Sequence, residues 1–344
     1  MHRIAAALIA PAAILPGPAA QLEAQSQARN LLRVAAGRIV DLGEMRSKHT
    51  DPRRVVVWLP STYRTGGPRH AVLYMHDGQN LFDKKTAGYG MEWKVDETLE
   101  RLISEKKVRP TIVVGIWNTP KRLREYVPSK AFAHLPRKYM EQVRGLYGGD
   151  PLSDGYLKFL VDELKPAIDK RFRLKTDRAN TAIMGSSMGA LISLYAIDEY
   201  PQVFGSAGMV STHWPLLLPA DGGKSVSDEE YAAVSSTFER YLTPALPDPR
   251  THRLYFDHGT ETLDAVYARY QKRVDTILAK RGYRHGANWI SRNFPGQAHN
   301  EKSWASRVEV PLRFLLPPER STRRRLRSSG PRPSISKGGL VPLR

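Results

Sequence analysis

Short apolar runs alternate along the chain with longer segments in which apolar residues recur at helical spacing. Short apolar runs bounded by turn-forming residues are typical of strands that are buried on both faces of a sheet. We predict strands at 38–42, 54–58, 70–75, 111–117, 180–184, 204–210, 254–257 and 288–292, and helices at 93–103, 156–172, 188–197, 263–278 and 304–316. Strands that alternate with helices predict βαβ crossovers and a mostly parallel sheet.

Residues 118–155 interrupt this alternation, because they are rich in Pro, Gly, Lys and Arg and show little periodicity. Long connections of this kind are uncommon in compact domains unless they serve a functional site. The chain shows no internal repeat at the periods of solenoids or propellers. The pattern therefore predicts one domain over 35–317, with a leader over 1–25 and a tail over 318–344.

A serine lies between a predicted strand and a predicted helix, in Gly185-Ser186-Ser187-Met188-Gly189. Gly-x-Ser-x-Gly occurs by chance, but in this setting it predicts a tight strand-to-helix turn that exposes the central hydroxyl above the sheet. The helix N-terminus also favours a developing oxyanion. We predict that Ser187 is a nucleophile; the alternative is an ordinary Gly/Ser loop at a helix start.

A serine nucleophile needs a base, which a carboxylate orients. In a strand–turn–helix setting the chain order is serine, acid, histidine. His299 follows the last predicted strand and fits the base, whereas a lone loop histidine is otherwise a surface residue. Asp257, Glu261 and Asp264 follow the strand at 254–257. Asp257 is still on the strand and reads as structural, so we prefer Asp264 as the acid and keep Glu261 as the alternative.

The oxyanion that forms during acyl transfer needs two preorganised N–H donors. The backbone N–H of Met188, the residue after the predicted nucleophile, is one candidate. The second is expected from Gly78 or Gln79, in the polar loop after the strand at 70–75. A polar loop that contains glycine is also an ordinary turn, so its place after that strand is what favours a functional role.

The chain resembles a known family, the "putative esterase" family of α/β hydrolases. Esterase D, feruloyl esterases, enterochelin esterases and mycolyltransferases belong to that family. The likeness covers roughly residues 38–316 and rests on the segments 73–82, 113–116 and 124–126, the serine turn, Gly259-Thr260 and His299. It implies an α/β-hydrolase fold, a three-layer sandwich around a mostly parallel twisted sheet.

By the same resemblance Ser187 is the nucleophile, His299 the base, and Gln79 with Met188 the oxyanion donors. The acid loop departs from members that place the carboxylate three residues after the glycine, because Thr262 occupies that position here. This departure leaves both Glu261 and Asp264 open as the acid.

Several large side chains near the motifs are candidates for a substrate-binding wall, although each could equally be buried packing or a surface anchor. They are Trp93, Trp117, Arg124, Tyr126, His213 and Trp214. No cluster of histidines and carboxylates suggests a metal site, and we expect no cofactor. The absence of cysteine excludes disulfides, thiolate sites and a cysteine nucleophile.

The two ends of the chain bear on location and partners. Residues 1–25 combine a positive start, an apolar stretch and small residues, as in a secretory signal, which predicts a periplasmic or secreted protein. Without a signal peptide it would be cytoplasmic. Eight Lys or Arg and one Glu from 319 onward contribute +7 of the net charge of +19. That tail lacks interleaved aromatic residues, so no nucleic-acid surface is expected. No apolar run in the chain reaches the roughly 18 residues of a membrane-spanning helix, so no span is expected.

These features together predict a serine esterase that forms an acyl-enzyme on Ser187. The family resemblance allows siderophore, feruloyl, glycan-ester or thioester substrates, and the basic net charge mildly favours an anionic one. Two alternatives stay open: an acyltransferase that uses the same residues, and a non-catalytic binding protein on the same scaffold.

Overall fold

The computed structural model describes residues 32–217 and 225–319. Its strands are Arg38–Met45 (β1), Arg53–Leu59 (β2), Ala71–His76 (β3), Thr111–Ile116 (β4), Thr181–Ser186 (β5), Ser206–Val210 (β6), Arg253–His258 (β7) and Trp289–Asn293 (β8). They form one sheet in the order β1-β2-β4-β3-β5-β6-β7-β8. The β1–β2 and β2–β4 pairs are antiparallel, and every pair from β4 to β8 is parallel. The eight predicted strands and the mostly parallel sheet are confirmed.

The helices that the structure describes cover both faces of this sheet. They are Val95–Ser104 (α1), Arg122–Tyr126 (α2), Ser129–Phe132 (α3), Arg137–Tyr147 (α4), Ser153–Lys158 (α5), Lys165–Arg171 (α6), Met188–Glu199 (α7), Asp228–Ala245 (α8), Tyr267–Lys280 (α9), Glu301–Arg307 (α10) and Glu309–Leu315 (α11). A π-helical segment, Phe159–Leu164, joins α5 to α6, and short 3-10 turns lie at Gly78–Asn80, Arg178–Asn180 and Thr262–Val266.

Two parts of the helix prediction were wrong. The segment 118–155, expected to lack regular structure, contains α2, α3 and α4. The sequence prediction also missed α8 entirely, although Ser227 and Glu230 form a capping box at its start. Both side-chain bonds of that box satisfy N–H groups that a helix start otherwise leaves free.

Two apolar cores lie on opposite faces of the sheet, because successive strand side chains alternate between them. In β3, Val72 and Tyr74 enter the core beneath α2 to α9, whereas Leu73 and Met75 enter the core beneath α1, α10 and α11. A helix–sheet–helix sandwich of this topology confirms the predicted α/β-hydrolase fold.

A buried ion pair fastens α2 to the sheet. Arg53 of β2 donates to Glu125 of α2 at 2.6 Å, and neither side chain is exposed. Thr50 and Thr119 also donate to the Glu125 carboxylate, so its charge is compensated within the protein. This ion pair fixes the position of α2 beside the carboxyl ends of the parallel strands.

The leader over 1–25 and nearly all of the tail over 318–344 lie outside the described residues. The export and tail expectations therefore stay predictions. Across 32–217 and 225–319, no helix is long and apolar enough to cross a bilayer.

The turn between β5 and α7 depends on two glycines. Ser187 has φ 57° and ψ −121°, a conformation that costs energy in a residue other than glycine. A Cβ on Gly185 would lie 2.6 Å from the carbonyl oxygen of Gly189, so nothing larger than glycine fits where the strand passes the helix. The packing of these two glycines therefore allows the chain to turn within a single residue.

We predict that Gly185→Ala lowers the free energy of unfolding by about 1–3 kcal/mol, because the added methyl group meets backbone that cannot yield. Urea unfolding measures this loss. Gly145→Ala is the matched control, since the exposed helical Gly145 has open space around its Cβ position. That change should leave stability unchanged or raise it. Equal stability of the Gly185 variant and the wild type would contradict this account of the turn.

Candidate active site

Ser187 is held by backbone hydrogen bonds to β6 and to the loop that follows it. Its N–H donates to the carbonyl of Val210 at 2.9 Å, and its own carbonyl accepts from the N–H of His213 at 3.3 Å. The side chain lines a cavity at the carboxyl ends of the parallel strands. Ligands in open α/β sheets bind outside the carboxyl ends of the strands.

Asp264 and His299 meet although 35 residues separate them in the chain. Nδ1 of His299 donates to Oδ1 of Asp264 at 2.6 Å. The Asp264 side chain has no exposed surface and that of His299 is 9% exposed. His299 lines the same cavity as Ser187. An imidazole whose Nδ1 is bonded to a carboxylate keeps Nε2 as a base.

Thr262 explains how the loop departs from the family pattern. It has φ 55°, and its hydroxyl accepts a hydrogen bond from the backbone N–H of His299 at 2.8 Å. Thr262, at the position where the resemblance led us to expect a carboxylate, thus fixes the backbone of His299 here. The turn at Thr262 places Asp264, two residues further on, against the imidazole.

Glu261, the alternative acid, lies apart from the imidazole. Its side chain is exposed and accepts a weak hydrogen bond from the neighbouring Thr260 hydroxyl at 3.3 Å. Its backbone N–H donates to the carbonyl of Gln297. The geometry therefore favours Asp264, and we propose Asp264 as the carboxylate that orients His299.

The second oxygen of Asp264 accepts two further hydrogen bonds, one from the loop after β6 and one from the start of its own loop. Oδ2 accepts from the Ser211 hydroxyl and from the Gly259 N–H, both at 2.6 Å. Burial alone would raise the pKa of Asp264, but the hydrogen bond and charge of His299, with these two donors, hold that pKa below its usual value. The carboxylate thus stays ionised beside the imidazole.

Behind Asp264 lies a buried ion pair that the sequence analysis did not foresee. Arg307 of α10 donates to Asp257 at 3.0 Å and to the Ser211 hydroxyl at 2.7 Å. Trp304 also donates its indole N–H to Ser211 at 3.0 Å. Asp257 was expected to be structural, and its place in this pair agrees with that. The network fixes the Ser211 hydroxyl, which in turn contacts Asp264.

The two expected oxyanion donors both border the cavity. Gln79 and Met188 line it, whereas Gly78 packs beneath, where a Cβ would lie 2.6 Å from the backbone of Gly115. In the described parts of the chain, the backbone N–H groups of Gln79 and Met188 donate to no acceptor. Two free donors beside a serine are what an oxyanion requires.

The cavity has a volume of about 670 Å³ and mixed polar and apolar walls. The lining residues that the sequence analysis did not single out are Asp77, Asn80, Gly88, Tyr89, Met91, Asn118, Arg122, Leu123, Tyr147, Ser186, Leu263, Asn300, Glu301 and Trp304. Asp77 and Asn80 lie in a polar turn directly after a predicted strand, and this position could have predicted that they line the cavity. Arg122 carried no such signal, because it reaches the cavity only through the docking of α2.

The charges on the cavity wall are largely compensated. Arg122 pairs with Asp77 through two hydrogen bonds of 2.7 Å, and Asn118 donates to the same carboxylate at 2.6 Å. Burial alone would raise the pKa of Asp77, but the Arg122 charge and these bonds lower it. Burial also lowers the pKa of His213 to about 3, so that imidazole is neutral. Among the described lining residues, no cation is left without a counter-charge.

Of the six predicted wall residues, His213 borders the cavity, with Nδ1 bonded to the Tyr267 hydroxyl at 2.8 Å. The prediction was wrong for the aromatic residues Trp93, Tyr126 and Trp214, which are 3%, 0% and 1% exposed and form part of the two cores. Large aromatic side chains remove much apolar surface from water when they pack inside, and this stabilises the cores.

Trp117 and Arg124 also lie away from the cavity. The Arg54 guanidinium stacks over the Trp117 ring at 4.8 Å, beside β2. Arg124 donates from Nε to the carbonyl of Asp150 at 2.8 Å and so ties α2 to the loop after α4. Neither position could be distinguished from a wall position by residue type alone.

Comparisons with known proteins identify the family and the fold of the chain. A family model described as "Putative esterase" matches residues 47–307. The uncharacterized protein YbbA of Bacillus subtilis (strain 168) is 27% identical over 287 residues, which are 81% of this chain and 99% of that protein.

Solved structures of esterases share the fold. A ferulic acid esterase superposes with a TM-score of 0.55 at 18% identity, over 81% of this chain and 98% of its own. A structure described as enterobactin and salmochelin hydrolase IroE gives a TM-score of 0.54 at 17% identity, over 82% of this chain and 96% of its own. At these identities the likeness is one of fold.

We predict that Asp264→Asn lowers kcat for ester hydrolysis roughly 1,000- to 10,000-fold, because an amide can no longer hold the imidazole in the tautomer that accepts a proton at Nε2. Glu261→Gln, three residues away, is the matched control and should retain kcat within about twofold. Steady-state kinetics on any turned-over ester measures both. A fully active Asp264 variant, or an inactive Glu261 variant, would reverse the choice of acid.

Proposed function

The chain belongs to the family described as "Putative esterase" and is an enzyme that acts on ester bonds; from that premise we propose that it hydrolyses carboxylic esters through an acyl-enzyme on Ser187. The observation that carries the proposal is the 2.6 Å hydrogen bond between His299 and the buried Asp264, on a cavity that Ser187 also lines. A serine, a histidine and a buried carboxylate in this order are the parts that nucleophilic acyl transfer needs.

Each step then uses a group that borders the cavity. Ser187 Oγ attacks the acyl carbon while Nε2 of His299 accepts its proton, and the carbonyl electrons move onto the oxygen. The N–H groups of Gln79 and Met188 stabilise that oxyanion. The intermediate collapses, the bond to the alcohol breaks, and His299 gives its proton to the leaving oxygen. Water, activated by His299, repeats the sequence and releases the acid.

Asp264 contributes through the histidine throughout this cycle. As His299 accepts the proton from Ser187 it becomes an imidazolium, and a carboxylate 2.6 Å from Nδ1 stabilises that charge. The low pKa of Asp264 matters here, since a protonated acid would not offer this stabilisation. The donors from Ser211 and Gly259 keep the carboxylate in the ionised form.

The charges on the cavity wall favour an uncharged substrate over an anionic one. The net charge of +19 suggested an anion, but Arg122, the cation on the wall, is already paired with Asp77. Net charge describes the whole surface and does not locate a patch. Tyr89, at 80% exposed, and Trp304 add aromatic surface to the cavity. We therefore propose an uncharged ester in which at least one part is aromatic or otherwise apolar.

We predict that a fluorophosphonate probe labels the wild type and fails to label Ser187→Ala, because the probe bonds only to an activated serine oxygen. Ser186→Ala is the matched control: Ser186 is the neighbouring residue and lines the same cavity. It should be labelled like the wild type. Intact-protein mass spectrometry reads out the label.

An unlabelled wild type that nevertheless hydrolyses esters would contradict a serine nucleophile. Labelling of Ser187→Ala with loss of labelling in Ser186→Ala would assign the reaction to the other serine.

A further inference from the structure

Glu301 is a buried carboxylate on the wall of the catalytic cavity. It is the first residue of α10, two residues after His299, and is 4% exposed. The mechanism proposed above gives it no task. Burying a carboxylate is costly unless hydrogen bonds or counter-charges compensate it, so its place beside the reacting groups calls for a reason.

Asn80 is the side chain that holds this carboxylate. Its Nδ2 donates to Oε1 of Glu301 at 3.1 Å. Its Oδ1 accepts from the N–H of Gly88 at 3.0 Å, which fixes which end of the amide faces Glu301. Asn80 follows Gln79 directly, so the carboxylate is tied to the loop that carries a proposed oxyanion donor.

The Glu301 carboxylate keeps free capacity to accept hydrogen bonds. A carboxylate offers about four acceptor sites. Among the described residues, Asn80 supplies the one side-chain donor, and the backbone N–H of Glu301 itself is the further contact. Glu301 lines the cavity, so its remaining lone pairs can accept from a donor group of a bound molecule.

The charges around Glu301 select the chemistry of that group. Asp77 and Arg122 compensate each other, and burial is the main cause that raises the pKa of Glu301 above its usual value. A second anion would therefore be repelled at this wall. A neutral hydroxyl is favoured, because it donates one hydrogen bond to the carboxylate without bringing a charge.

The position of Glu301 along the chain indicates which half of an ester it meets. In the proposed reaction His299 passes its proton to the leaving alcohol oxygen, so the alcohol lies against the His299 loop. Asn300 and Glu301 continue that loop and both line the cavity. We infer that Glu301 accepts a hydrogen bond from a hydroxyl of the leaving alcohol, so the enzyme prefers esters of alcohols with a second hydroxyl group. This inference rests on the proposed function.

The test uses three esters that share one acyl group and differ in the alcohol part, which is a hydroxyethyl, a methoxyethyl or a propyl group. A hydrogen bond to a charged group contributes about 1.5–3 kcal/mol, which corresponds to roughly 10- to 100-fold in kcat/KM. We predict that the wild type favours the hydroxyethyl ester over the other two by that factor. Steady-state kinetics gives each kcat/KM.

Glu301→Gln removes the preference while keeping the shape of the side chain. The glutamine oxygen can still accept from Asn80, and its NH₂ group then faces the cavity as a donor. The hydroxyethyl preference over methoxyethyl should fall to within about twofold, since either oxygen can accept from that donor. Glu309→Gln is the matched control, because Glu309 likewise begins a helix but pairs with Arg101 on the surface. It should keep the wild-type preference.

The ratio between esters separates this inference from the proposed function, because a general loss of activity cancels. A wild type that hydrolyses all three esters equally, or a Glu301→Gln variant that keeps the hydroxyethyl preference, would overturn the role of Glu301. A wild type inactive on all three would instead contradict the proposed function, and with it the inference.

Discussion

The buried carboxylate of Asp264 is the interaction on which the rest of this site depends. It accepts hydrogen bonds from His299, Ser211 and Gly259, which lie in different loops at the carboxyl edge of the sheet. A carboxylate with no exposed surface is tolerated only when such donors surround it. The carboxylate can therefore stay ionised while buried only when the ends of β6 and β7 and the loop before α10 are assembled. The orientation of His299, the proposed base, depends on the same assembly.

The proposed nucleophile, Ser187, is positioned separately, directly after β5. The positive φ of Ser187 is a local strain that the close crossing of Gly185 and Gly189 sustains. The cavity in front of it is bounded by the Asp77–Arg122 pair, which exists because α2 is anchored on the sheet. The strained turn positions Ser187, the buried Asp264 orients His299, and the Asp77–Arg122 pair bounds the cavity. Each of these features depends on packing outside the cavity.

Much of this arrangement could be predicted from local pattern. The strands and the serine turn follow from short apolar runs and a Gly-x-Ser-x-Gly setting, and chain order with the place after the last strand predicted His299. The acid could not be resolved, because Glu261 and Asp264 lie three residues apart and the backbone turn at Thr262 decides which one reaches the imidazole. The prediction of the residues that line the cavity was mostly wrong, because residue type does not tell whether an aromatic side chain packs into a core or faces a cavity.

The central claim is a covalent acyl intermediate on Ser187, and the most direct test is partitioning. Esters that share one acyl group but differ in leaving alcohol are hydrolysed in water with a fixed concentration of a second alcohol added. If all of them pass through the same acyl-enzyme, the ratio of transesterified product to free acid is the same for every leaving alcohol. Constant ratios are the result this account predicts, and ratios that change with the leaving alcohol would contradict it.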